Sequence, residues 1–170
     1  MAKELRNRLH KSELIRLLNA ETFKRKTISF YRYVKIEDPQ KLRNELYAKC
    51  DELSAFGRVY LSYEGINAQM SVPEHHWEAF VKMLYSYAAF KDVPFKVAVE
   101  DTGKSFYKLI IKVRDKIVAD GINDPSFDPS NTGKYLNAQE FNEYIDKPGT
   151  IVVDMRNHYE SEVGHFDRAF

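Results

Sequence analysis

Cysteine is almost missing from this 170-residue chain, and the lone Cys50 can form neither an internal disulfide nor a multi-cysteine metal site. Glycine and proline are sparse, at seven and six, which excludes collagen-like and low-complexity sequences. No apolar run approaches the roughly 20 residues of a membrane-spanning helix. The opening MAKELRNRLHKSEL carries charge with no apolar stretch behind it, unlike a secretory leader. Net charge is also small: 26 Lys and Arg against 25 Asp and Glu leave +1, which excludes a histone-like polycation or an acidic tail. These absences predict a cytoplasmic protein held by an ordinary apolar core, and a hydrophobic share of 44% suffices to build one. Aromatics are plentiful at 14%, although Trp77 is the single tryptophan.

Charge and pattern then divide the chain. Residues 1–26 hold eight basic side chains (Lys3, Arg6, Arg8, Lys11, Arg16, Lys24, Arg25, Lys26) against Glu4, Glu13 and Glu21, an excess of five, so the remainder carries −4. Ser12 ahead of ELIRLLNA predicts a short capped helix with Leu14, Leu17 and Leu18 on one side. This basic arm reads as a solvated, loosely docked segment or as an arm for a polyanion.

From Thr27 the pattern alternates. Thr27–Ile36 reads as a strand, and Asp38-Pro39 as the cap and first residue of a helix over 39–54 that Gly57 ends. Leu42, Leu46, Cys50 and Leu53 form its apolar stripe. Arg58–Tyr63 and Ile66–Val72 follow as strands joined at Glu64-Gly65. Pro73 opens a second helix with Trp77, Phe80, Val81, Leu84 and Ala88 on one stripe. Strands at about 94–100 and 105–114 flank the turn Asp101-Thr102-Gly103. The order is βαββαβ plus one strand, which is the ferredoxin-like α+β arrangement over 27–120. Residues 121–134, rich in turn formers, read as a linker. A second unit over 135–170 then predicts a helix from Ala138 to Ile145 and the strand Thr150–Met155, apolar on both sides like a buried parallel strand. One strand and one helix cannot close such a sheet, so this unit reads as the start of a longer domain.

Two places could carry chemistry. On the 105–114 strand, Tyr107, Leu109, Ile111 and Val113 face the core. Phe106, Lys108, Ile110, Lys112 and Arg114 share the other face, flanked by Lys104 and Lys116. Cations interleaved with rings suit RNA, whose phosphates meet the cations and whose unpaired bases stack on the rings. A solvated or covered face would look the same. Asp154 and Arg156 stand at the carboxyl end of the last strand, where open α/β domains gather functional groups. There Asp154 can cap backbone amides and Arg156 can pair with Glu160 or Glu162. Glu64 and Asn67 read as turn chemistry before ligand contacts. Adjacent His75 and His76 diverge and make a poor metal pair.

Ile151–Arg156, Tyr159-Glu160 and Gly164-His165-Phe166 resemble the opening motif of a rhodanese domain, with Arg168 where the motif's last glycine usually stands. Phe56–Leu61, Glu64–Gln69, Lys112–Gly121 and Asp154–Glu160 resemble the bacterial rhodanese-containing tRNA uridine hydroxylases, formerly an uncharacterised family, and the likeness runs from Thr27 onward. That resemblance implies an acylphosphatase-like (ferredoxin-like) domain, then a rhodanese domain and a cysteine-rich tail. It also implies oxygen-dependent formation of 5-hydroxyuridine at the tRNA wobble position, with molecular oxygen as co-substrate; no organic cofactor is evident, and no residue of this chain is assigned to a metal. The family's cysteine lies in a C-x-G-G-I-R-C loop, expected beyond Phe170, and Cys50 does not match it. No nucleophile is therefore assigned, and Asp154, Arg156 and His165 are expected to support the site. A rhodanese-type sulfurtransferase and a non-catalytic RNA- or protein-binding module are the alternatives.

Overall fold

The computed structural model describes residues 9–99, 103–118, 121–122, 124, 126–129, 131–166 and 168–170. Lys3, Glu4, Arg6 and Arg8 of the arm, the turn pair Asp101-Thr102, Ala119-Asp120, and Asn123, Pro125 and Ser130 lie outside the described residues. The chain divides after residue 130 into two compact units.

In the first unit, helix α1 (Lys11–Ala20) precedes strand β1 (Arg25–Tyr33), helix α2 (Pro39–Glu52) and strands β2 (Phe56–Ser62) and β3 (Gly65–Pro73). Helix α3 (Trp77–Tyr85) and the short strands β4 (Lys96–Val97) and β5 (Leu109–Val113) complete it. The sheet order is β4-β1-β3-β2-β5, antiparallel throughout except for the β2–β5 pair. This is the ferredoxin-like arrangement with an additional strand on the free edge of β2. Alternation along the strands sends Ile28 and Phe30, Val59 and Leu61, Ile66, Ala68, Met70 and Val72, and Leu109 and Ile111 to one face. Leu46, Tyr47 and Cys50 of α2 and Phe80 and Leu84 of α3 pack onto that face. Each large apolar side chain so buried contributes about 1.5–3 kcal/mol.

Several boundaries differ from expectation. The helix α1 is capped by His10, whose Nδ1 accepts from the Ser12 amide at 3.4 Å, so Ser12 sits inside the first turn. Leu18 is buried there while Leu17 is 43% exposed. Arg25 is no part of an arm: it opens β1 and is buried. Its guanidinium pairs bidentately with Glu21 at 2.7 Å and donates to the Ser54 and Ser71 carbonyls. Asp38 caps α2 by accepting from Lys41 at 2.8 Å, but the helix ends at Leu53 and Ser54 (φ 51), not at Gly57. Gly57 lies within β2, where a Cβ would sit 2.3 Å from the Gln69 carbonyl oxygen. The hairpin turn is Tyr63-Glu64, because Gly65 already pairs with Ser62. Pro73 ends β3, and a single turn of 3₁₀ helix (Glu74–His76) separates it from α3. Ala88 is exposed and Phe90 fills the core in its place. Among the described residues, the segments at 94–100 and 105–114 contribute only two and five strand residues.

The second unit, Asn131–Phe170, contains α4 (Ala138–Ile145) and α5 (His158–Val163). Each begins with a reciprocal cap, Asn137 with Glu140 and Asn157 with Glu160. The expected buried strand Thr150–Met155 is reduced to one parallel bridge, Val152 with Ala169. Ile151, Val153 and Met155 are exposed, since no layer within these residues covers either side of the segment.

Candidate nucleic-acid interface

Helices α2 and α3 pack on one sheet face and leave part of the other open, where strand register lines the side chains into rows. One row runs Lys96, Ser29, Gln69, Arg58, Ile110. The next runs Tyr31, Asn67, Tyr60, Lys112. Arg114 follows β5, its amide donating to the Leu61 carbonyl at 2.8 Å and its guanidinium lying 5.8 Å from the centre of the Tyr60 ring. The Tyr31 and Tyr33 rings meet edge to face at 6.4 Å. Arg58, Lys96, Lys112 and Arg114 are exposed, as is half of Tyr31. Separated cations with rings between them can hold phosphates while unpaired bases stack.

The expected site residues therefore divide. Ile110, Lys112 and Arg114 lie on this open face. Phe106 and Lys108 precede β5 and share no strand with them, which corrects the single-strand reading; Lys104 stands before them. Tyr107 likewise precedes the strand, half-buried, with the Lys108 ammonium 5.6 Å from its ring centre. The parallel register pairs Gly57 with Leu109, and β2 begins at Phe56, so residues 104–107 have no strand to join. Instead the segment turns across the open face: the Ser71 hydroxyl donates to the Gly103 carbonyl at 2.5 Å, and Phe106 reaches a cleft with Thr27, Ser29 and Gln69. Sequence alone does not single out Arg58, Tyr60, Tyr31 and Lys96. The polar positions of TISFYRY and FGRVYLS carry the signal, but only pairing register joins them.

Glu64 and Asn67 serve the fold. The Glu64 carboxylate accepts the Ile117 amide at 2.8 Å, and the Asn67 side-chain amide donates to the Ile117 carbonyl at 3.2 Å. Two side chains thus replace a strand in pinning the chain after β5, and the Ile117 side chain is buried. Cys50 is buried in α2, and desolvation, with the charge of Asp51, pushes its thiol up to about 12, the opposite of an activated nucleophile. His76 Nδ1 lies 2.9 Å from the Leu53 carbonyl oxygen. Among the described residues no three His, Cys, Asp or Glu side chains gather as a metal site.

In the second unit Arg156 pairs with Asp154, not with Glu160 or Glu162. Its Nε and Nη2 donate to the carboxylate at 2.9 and 2.6 Å, its amide donates at 3.1 Å, and Nη2 also reaches the Gly164 carbonyl at 2.8 Å. These bonds, the side-chain pair foremost, lower the Asp154 carboxyl to about 2. Glu160 is occupied capping α5. His165 Nδ1 lies 3.3 Å from the Ser161 carbonyl oxygen.

Comparison with known proteins places this geometry. The family described as "UPF0176 acylphosphatase like domain" matches residues 25–117, over half of the chain. The chain belongs to this family. The acylphosphatase-like UPF0176 domain thus coincides with the sheet, its two packed helices and the open face. Relatives named tRNA uridine(34) hydroxylase include one from Leptospira interrogans (serovar Lai), 52% identical over 98% of this chain and 46% of the relative. Another, from Photorhabdus laumondii subsp. laumondii, is 53% identical over 97% of this chain and 47% of the relative. The chain spans about half the length of the curated relatives it matches.

Proposed function

We propose that this chain supplies the tRNA-binding part of an enzyme that hydroxylates uridine 34, acting in the cytoplasm with molecular oxygen as co-substrate. The relatives' names support the reaction and substrate. The observation that carries the binding role is the row Tyr31, Tyr60, Lys112 with Arg114 beside it, Asn67 between the two rings being held by the Ile117 carbonyl. An anticodon loop offers unstacked bases and close phosphates, and this face offers rings and cations. Lys104 and Lys108 stand as flanking cations. The second unit is the opening of a rhodanese domain, where Asp154, Arg156 and His165 order a loop and supply no nucleophile. No helix among the described residues is long and apolar enough to cross a membrane.

A triple replacement, Arg58→Gln, Lys112→Gln and Arg114→Gln, tests the binding role by tRNA affinity across a salt series. Each phosphate deprived of its cation lowers the log–log salt slope by roughly 0.7–0.9, so the slope falls by about two units or more. A folded triple variant with the parent's affinity and slope would remove this face from the interface.

A further inference from the structure

The open face contains a concavity. Between β1, β3, β4 and the segment before β5 lies a cleft of about 310 Å³, at the small end of ligand pockets, which run from roughly 300 to 1,000 Å³. Ser29 and Gln69, cross-strand neighbours, form its floor; Lys96, the partner of Ser29 on the other side, stands at its rim. Phe106 walls it, half-buried. Thr27 also lines the cleft, but its hydroxyl oxygen is buried and presents no surface to an occupant.

These groups define the occupant by chemistry. A flat ring wall favours a planar aromatic group. An amide that both donates and accepts, next to the Ser29 hydroxyl, suits a ring whose edge alternates acceptors and donors. A cation at the rim calls for an anion attached to that ring. A nucleotide meets all three requirements, and the small volume holds one base rather than a stacked pair. Arg58 continues the same row beyond Gln69, so the chain on either side of the bound base would meet a further cation.

We propose that this cleft takes one unstacked base of single-stranded RNA: Phe106 stacks on it, Gln69 and Ser29 bond its edge, and Lys96 meets its phosphate. The proposal rests on the RNA-binding role given above and adds to it the place where a base leaves its stack. The cations of the face determine salt dependence, whereas this cleft determines the preference for unpaired over paired RNA.

Binding of the 170-residue chain to a fluorescent anticodon stem-loop, and to the same strand in a full duplex, separates the two. Phe106→Ala is expected to weaken stem-loop binding about tenfold to a hundredfold, leave the salt slope unchanged, and spare duplex binding. Phe106→Tyr keeps the ring and restores affinity. Gln69→Leu is expected to narrow the difference between stem-loops that vary in one loop base. Should Phe106→Ala misfold, a photocrosslink from the unaltered protein to a 4-thiouridine loop still decides, and it is expected in the peptide containing Ser105 and Phe106. Parent-like binding by folded Phe106→Ala, or crosslinks confined to other peptides, overturns the cleft while leaving the basic face standing. A parent chain that binds no RNA overturns both.

Discussion

Residues up to 130 and residues from Asn131 onward use the same local signals and differ in what they bury. Asp38 caps α2 just as Asn137 caps α4, each accepting an amide three residues on at 2.8 and 2.9 Å. Yet the first unit assembles a continuous core from both helices and the sheet, while no described residue of the second is buried. Caps and ion pairs give about 1 kcal/mol each and specify where a helix starts. Burial supplies the cooperative part of stability. The first unit should therefore melt as one transition, and the second should show only local order.

The largest effect that could break this contrast lies at Gly65. With φ +149, it sits where an added Cβ would fall 2.1 Å from the Arg32 carbonyl oxygen, so β1 and β3 could not keep their register. Gly65→Ala is expected to destabilise the first unit by roughly 3–5 kcal/mol in urea unfolding. A loss below about 1 kcal/mol would mean that the two strands separate freely and the sheet is less cooperative than its packing implies. A smaller effect is expected at Glu64. Alanine there orphans the Ile117 amide and costs about 1–3 kcal/mol, whereas glutamine, still an acceptor, recovers most of it. Equal loss in both variants would show that the charge, not the hydrogen bond, holds the segment.

The same contrast explains what can be read in advance. Element order is legible because periods of 2 and 3.6 and the Asp38-Pro39 pair are local. The open face is legible only in part: alternation along one segment finds Lys112 and Arg114 but extends it backward through Phe106. Whether alternation becomes a strand depends on a partner, and β2 offers none before Phe56. Tyr31, Tyr60, Arg58 and Lys96 need the register of four strands to meet. Gly65 looks like a turn residue because a turn and a close backbone approach demand the same missing Cβ. In the second unit the apolar run at 151–155 reads as buried, and burial is a property of the surroundings that no run of residues carries by itself.

The smallest effect on global stability, and the sharpest probe of the second unit, is at Asp154. Its carboxyl falls from an ordinary 3.8 to about 2 because the Arg156 side chain and amide bond its charged form. A group lowered on folding helps the folded form above its unfolded value and loses that help as pH falls through the folded one. Order in the Asp154–Gly164 loop should therefore be complete above about pH 4 and decline toward about pH 2. The Arg156 Nε–H resonance, followed by NMR against pH, reports it directly. Asp154→Asn removes the titration and frees Arg156 from its fork, while the urea midpoint of the first unit stays within about 0.5 kcal/mol of the parent. An Arg156 resonance that ignores pH between about 5 and 2 would show that the fork does not hold the loop. A shifted midpoint in the first unit would show that the two units unfold together, and the contrast between a cored unit and a locally ordered one would fail.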